Sequence, residues 1–212
     1  RVGENVSPDL IGKRVLVRSM QNSLNSEDPF AMQTVGSEID GGFAQYCVAI
    51  AKESFPINCN WTDIELASIP ISYSTAEGML CRANIKKEKI LITGASGGVG
   101  SAAIQLAKIR GATIIAQCSS EKASGLQDLG ADQTLDREED LVKVLGNNSV
   151  DAILDLVGGN NWPQLLDILR PGGKYITSGA IAGPIVHLDL RSLYLKDLTL
   201  FGSTVNEKYV FE

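Results

Sequence analysis

The nine residues "ITGASGGVG", Ile92 to Gly100, place four glycines and several small side chains directly after the apolar run "KILIT". A backbone this bare suits a place where a strand turns abruptly into a helix and another group must approach the main chain. The residues that follow are helical in period. Val99, Ala103, Leu106 and Ala107 fall on one helix face, so a helix is predicted from Gly98 to Arg110, with Gly111 at the position of a left-handed C-cap. "ATIIAQ" then reads as a second strand. A strand, a tight turn, a close-packing helix and another strand make the repeating unit of a parallel sheet.

The alternation continues to the end of the chain. "EKASGLQDLG" reads as a helix, "QTLD" as a short strand, "EEDLVKVLG" as a helix and "VDAILDLVG" as a strand. "WPQLLDILRPGG" reads as helix and turn, with Pro163 in the first turn where its missing N–H costs little, and "KYITSG" and "LTLFGS" as strands. Six strands, several apolar on both faces, predict an α/β fold with a doubly wound parallel (Rossmann) sheet. Residues 1 to about 60 differ: "KRVLVR", a polar stretch "SMQNSLNSEDPFAMQT" and "GSEIDGGFAQYCVAI" read as short strands and turns. Thr62 with Glu65 three residues on predicts a capped helix start, and "YSTAEGMLCRAN" continues with helix formers.

Charge and composition narrow the function classes. The 212 residues carry a formal charge of −6 and no cluster of Lys and Arg, which argues against nucleic acid as a partner. No apolar run approaches the ~20 residues that span a bilayer, so no membrane partner is expected. Cys47, Cys59, Cys81 and Cys118 form no C-x-x-C and His187 is the sole histidine, so the expectation is free thiols in a cytoplasmic protein and no metal site.

A helix that opens on a glycine turn presents backbone N–H groups without internal partners and a partial positive charge, which together suit a pyrophosphate. Gly97 and Gly98 are expected to keep side chains out of its way, Gly100 to let the helix lie close to the strand, and Ser96 to add a hydroxyl. The stretch is A-x-G-x-x-G, with Ala95 at the first glycine of the dinucleotide fingerprint, yet the strand before it and the helix after it are where that fingerprint requires them. The plain alternative is a tight turn without a ligand. At the end of the second strand, Gln117 stands where an NAD site places a carboxylate, and Ser119, Ser120 and Lys122 can hold a 2′-phosphate. NADP(H) is therefore the expected cofactor, and a helix cap by Ser119 or Ser120 is compatible with that role.

"ILITGASGGVGSAAIQLAKIRGATIIA", with "LGADQTLDREED", "VDAILDLVGG" and "LRPGGKYITSGA", resembles the medium-chain dehydrogenase/reductase superfamily in its quinone-oxidoreductase-like branch. "IGKRVLV", "GGFAQYCVAIAKESFPIN" and "STAEGML" are similar to the later part of that family's GroES-like catalytic domain. The resemblance implies a partial GroES-like domain over residues 1–62, truncated at its N-terminus, and a Rossmann domain over 63–212 without its C-terminal return segment. "TGASGGVG" also fits the short-chain dehydrogenases, but about ninety residues precede it and no Y-x-x-x-K follows.

Carried over position by position, the resemblance implies that Ser96, Gly97, Gly98 and Val99 hold the pyrophosphate and that Ser119 and Lys122 hold the 2′-phosphate. Gly158, Thr177, Ser178, Gly179 and Ala180 line the nicotinamide side. Thr75 touches the cofactor or serves as an N-cap-like residue. Asp136 stands where relatives have an aromatic beside the adenine, and Asp155 either orients the nicotinamide or caps a loop. A catalytic zinc ligand of the alcohol dehydrogenases falls at Ile71, which cannot bind metal. No catalytic residue of the family is matched within the chain. The implied function is a zinc-independent, NADPH-dependent oxidoreductase that reduces a quinone, an enone or a small carbonyl compound. A zinc-type alcohol dehydrogenase variant and a non-catalytic NADPH-binding protein are the alternatives. The family's edge strand implies a homodimer through residues 198–203.

Overall fold

The computed structural model describes residues 1–23, 31–204 and 207–212. It divides into two compact units, Arg1–Ile71 with Phe211–Glu212, and Ser72–Val210.

The first unit holds β1 (Val15–Val17), β2 (Met20–Asn22), β3 (Met32–Thr34), β4 (Ser54–Pro56) and helix α1 (Asp63–Ala67). Strand β1 pairs antiparallel with β4, and β2 with β3. A buried ion pair, Arg18 Nε to Glu53 Oε2 at 2.8 Å, lies beside the β1–β4 pairing. The predicted helix start is present as a capping box: Thr62 Oγ1 accepts from the Glu65 amide and Glu65 Oε2 accepts from the Thr62 amide. The predicted strand over "GSEIDGGFAQYCVAI" is absent. Residues 36–50 hold only an isolated bridge between Val35 and Ile39, and Phe43, Tyr46 and Val48 are exposed. Their alternation has no pairing strand among the described residues, and a strand without a ladder does not form. Residues 24–30 of the polar stretch before it lie outside the described residues.

Helix α2 (Ile69–Arg82) leads into the second unit, where the alternation read from the sequence becomes a sheet. Its elements are β5 (Lys89–Ile92), α3 (Gly98–Arg110), β6 (Thr113–Cys118), α4 (Ala123–Asp128), β7 (Gln133–Asp136) and α5 (Leu141–Leu145). They continue with β8 (Val150–Asp155), α6 (Trp162–Ile168), β9 (Leu169–Thr177), α7 (Leu190–Leu195) and β10 (Thr199–Gly202). The six strands pair in parallel in the order β10-β9-β8-β5-β6-β7, the doubly wound topology expected. Alternate side chains feed two cores. Ile90, Ile92, Ile114, Ala116, Ala152, Leu154 and Ile176 pack with α2, α3 and α4 on one face. Leu91, Ile115, Ile153 and Tyr175 pack with α5, α6 and α7 on the other. Each fully buried Ile or Leu contributes about 1.5–3 kcal/mol. No helix among the described residues is long and apolar enough to cross a membrane.

Strand β9 begins earlier than the sequence suggests. Leu169 already pairs with Val150, and the register then jumps so that Lys174 meets Ala152. "RPGG" is an irregularity inside a strand, not a turn before one, and Gly172 adopts a φ of 74° within it.

At the C-terminal ends of β5, β8 and β9 one carboxylate ties three strands together. Asp155, with no exposed surface, accepts from Thr93 Oγ1 (2.5 Å), Tyr175 Oη (2.5 Å) and the amides of Val157 (3.0 Å) and Gly158 (3.2 Å). Thr93 Oγ1 in turn accepts from the Leu156 amide (3.0 Å). Burial, then the Asp155 charge, pushes the Tyr175 hydroxyl above its ordinary range, so it stays a donor. Substitution Tyr175→Phe keeps the ring against Trp162 but takes one donor from a buried carboxylate, with an expected destabilisation of about 1–3 kcal/mol. Urea unfolding should show a lower midpoint at unchanged slope; an unchanged midpoint would contradict the role given to this hydroxyl.

Candidate functional site

The crossovers β5-α3-β6-α4-β7 run over one face of the sheet and those of α5, α6 and α7 over the other. The switch lies between β5 and β8, where a crevice opens outside the C-terminal strand ends. A cleft of about 570 Å³ occupies it. Thr93, Gly94 and Ser96 form one wall, Gln117 to Ser119 and Lys122 a second, Arg137 to Glu139 a third, and Val157, Gly158, Asn160, Asn161 and Gln164 the fourth.

Helix α3 starts at the rim. Gly97 is its N-cap, offers no side chain to the helix, and no acidic residue stands in the first turn. The amides of Gly98, Val99 and Gly100 have no partner among the described residues, whereas Gly97 N is engaged by Gly94 O and Ser101 N by Gly97 O. Three free donors at the positive end of a thirteen-residue helix make an anion site of the kind a diphosphate fits. The helix can lie this close because Gly100 has no side chain: a Cβ there would stand 2.5 Å from Gly94 O and 2.6 Å from Ala95 Cα. A Cβ on Gly98 would meet Ser72 Oγ of α2 at 2.7 Å, so its bareness also serves packing against α2. Ala95, in place of the first fingerprint glycine, is fully buried, and its amide donates to Gln117 O (3.1 Å).

The sequence-predicted residues are distributed unevenly. Ser96, Ser119, Lys122 and Gly158 line the cleft. Gly97, Gly98 and Val99 form the head of α3. Thr177, Ser178, Gly179 and Ala180 lie at the end of β9 and outside the lining, which Ile181 and Ala182 supply instead. The loops after β8 and β9 are laced together by Ser178 N to Asp155 O (3.3 Å), Ala182 N to Val157 O (2.9 Å) and Gly159 N to Gly183 O (3.0 Å).

Of the two roles open to Asp155, the loop-capping one is formed, by a carboxylate that is fully buried at the cleft lining. Ser119 makes no helix cap; its hydroxyl donates to Glu121 Oε1 (3.3 Å), while Asp136 Oδ2 accepts from the Ser120 amide (2.9 Å). Thr75 sits inside α2, not at an N-cap, and His187 is exposed. Arg137, Asn160, Asn161 and Gln164 were not expected at the cleft. Arg137 follows directly on β7, where projecting the strand one step past its last residue would have found it, while Asn160 and Asn161 lie in the loop between β8 and α6 and Gln164 on α6 itself.

Among the described residues no three His, Cys, Asp or Glu side chains come together as a metal site, and Ile71 is an exposed apolar residue of α2. The donor set for a zinc ion is therefore not built from these residues, while the free amides and side-chain-free rim suit a dinucleotide.

Residues 98–212 match the zinc-binding dehydrogenase family. The NAD(P)H oxidoreductase RTN4IP1, mitochondrial, of Danio rerio is 37% identical over 147 residues, 65% of this chain and 38% of that protein. The quinone oxidoreductase-like protein 2 homolog of Nematostella vectensis is 31% identical over 170 residues, 76% of this chain and 47% of that one. The crystal structure of a putative alcohol dehydrogenase from Sinorhizobium meliloti 1021 superposes with a TM-score of 0.88 at 42% identity, over 99% of this chain and 60% of its own. The chain thus spans about two fifths to three fifths of the length of these relatives. With the family match over more than half its residues, the chain belongs to the medium-chain dehydrogenase/reductase superfamily.

Proposed function

We propose that the chain supplies the dinucleotide-binding part of an NADPH-dependent, zinc-independent oxidoreductase that reduces a quinone, an enone or a small carbonyl compound, as a homodimer in the cytoplasm. The observation that carries this reading is the row of free amides at Gly98, Val99 and Gly100, set beside a second strand that ends without a carboxylate at Gln117. When bound, the reduced nicotinamide supplies the hydride.

The chain's own residues bind and orient. The α3 amides receive the diphosphate, Ser119 and Lys122 offer a hydroxyl and a cation to a 2′-phosphate, and the laced loops after β8 and β9 form the wall toward the nicotinamide. The buried Asp155 network holds that wall rigid, so orientation is set before the cofactor arrives. The names of the relatives support a carbonyl- or quinone-reducing reaction, and the apolar Ile71, where the resemblance puts a zinc ligand, supports one that does not use zinc. The exposed Phe43, Tyr46 and Val48 support the reading of residues 1–62 as part of a larger GroES-like domain that covers them.

The full-length protein should oxidise NADPH at least about tenfold more efficiently than NADH against a panel of quinones, enals and aldehydes, equally well after chelator treatment. Preference for NADH, or loss of activity on chelation, would contradict the proposal.

Strand β10 is bonded to β9 along one edge, and among the described residues nothing pairs with its other edge, where Thr199 and Leu200 are exposed. An open edge of this kind invites a second strand, and residues 198–203 of another copy are the partner proposed. Light scattering should return the mass of a dimer, shifted toward monomer by Leu200→Lys; a monomeric wild-type protein would contradict the interface.

A further inference from the structure

We propose that Arg137 is a phosphate-selecting residue, which closes on the 2′-phosphate from β7 while Ser119 and Lys122 approach it from β6. The proposal rests on the NADPH reading above and adds to it a residue on a different strand.

The two strand ends are joined side by side. Cys118 and Asp136 are register partners, and the Arg137 amide donates to Cys118 O (2.9 Å), so Arg137 stands next to Ser119 across the strands. Asp136 fastens the loops that follow. Its Oδ2 accepts from the Ser120 amide (2.9 Å) and the Ser120 hydroxyl, and its Oδ1 from the Glu138 amide (3.0 Å). The Ser120 hydroxyl above all, then the Glu138 amide, hold this carboxylate below its ordinary pKa. Asp136 therefore stays ionised, its oxygens occupied by loop donors, and the Arg137 charge adds to that stabilisation from the same strand end. Glu139 is also engaged, its Oε2 accepting from the Asp136 amide (3.1 Å). Both cation-bearing loops, with Lys122 and Arg137, face the same cleft.

Arg137 is paired in a way that leaves it exchangeable. Its Nε lies 3.3 Å from Glu138 Oε1, and the two side chains are 71% and 82% exposed. An ion pair so open to water contributes little. A phosphate monoester carrying about −1.5 to −2 charges, with three acceptor oxygens, is the stronger partner for a planar guanidinium. A dinucleotide without that phosphate leaves Arg137 on Glu138 and gains nothing from it. Discrimination then comes from a cation released only when the phosphate is present.

The test is calorimetric titration of the full-length protein with NADPH and with NADH, for the wild type and for Arg137→Ala, Arg137→Lys and Lys122→Ala. Arg137→Ala is expected to weaken NADPH by about tenfold or more and to lower the NADPH-to-NADH selectivity by the same factor, with Arg137→Lys between it and the wild type. Loss of folding would weaken both dinucleotides together and leave the selectivity unchanged. A selective wild type whose preference falls with Lys122→Ala but not with Arg137→Ala would overturn this inference and leave the NADPH reading standing. A wild type without preference for NADPH would overturn both.

Discussion

Everything at the site depends on how closely helix α3 lies against the turn that precedes it. The contact at Gly100 allows no side-chain atom, since even a Cβ would stand 2.5 Å from the Gly94 carbonyl oxygen. That approach lets the helix begin at the switch point between β5 and β8, with its first three free amides at the rim of the cleft. A wider packing distance would carry the positive end of the helix away from the crevice, where its field falls off within a turn.

The rest of the crevice is organised by two carboxylates that bind the donors of its loops. Asp155 is buried at the lining and fixes the amides of Val157 and Gly158 directly, and that of Leu156 through Thr93. Asp136 lies between the β6 and β7 loops and fixes Ser120 and Glu138. Each is an acidic residue at a strand end, and each has its oxygens occupied by hydroxyl and main-chain donors of the loops it organises. The cleft carries Lys122 and Arg137 as its cations, beside Glu138 and Glu139, although the whole chain is acidic.

The sheet was legible because its signals are local. A bare turn after an apolar run, a stripe at helical spacing and glycines at helix ends each act within about ten residues, and β7 and α3 appear at the predicted residues. What the sequence did not show was long in range. Asp155 finds its hydroxyl partners 62 residues before it and 20 after it, and Arg137 reaches the cleft through a bond from its amide to Cys118 O. The early start of β9 hides behind Pro171 and Gly172, turn formers that a bulge accommodates. The expected strand at 36–50 fails for the converse reason: local alternation is present, and no partner among the described residues completes its ladder.

The central claim is that a dinucleotide's diphosphate is received by unpartnered main-chain donors, and amide chemical shifts report on those donors directly. In a titration of the isotope-labelled protein with NADPH, the resonances of Gly98, Val99 and Gly100 should move most, along one saturable curve shared with binding. If the dinucleotide binds while these three amides stay in place and the shifts gather elsewhere, the account is wrong.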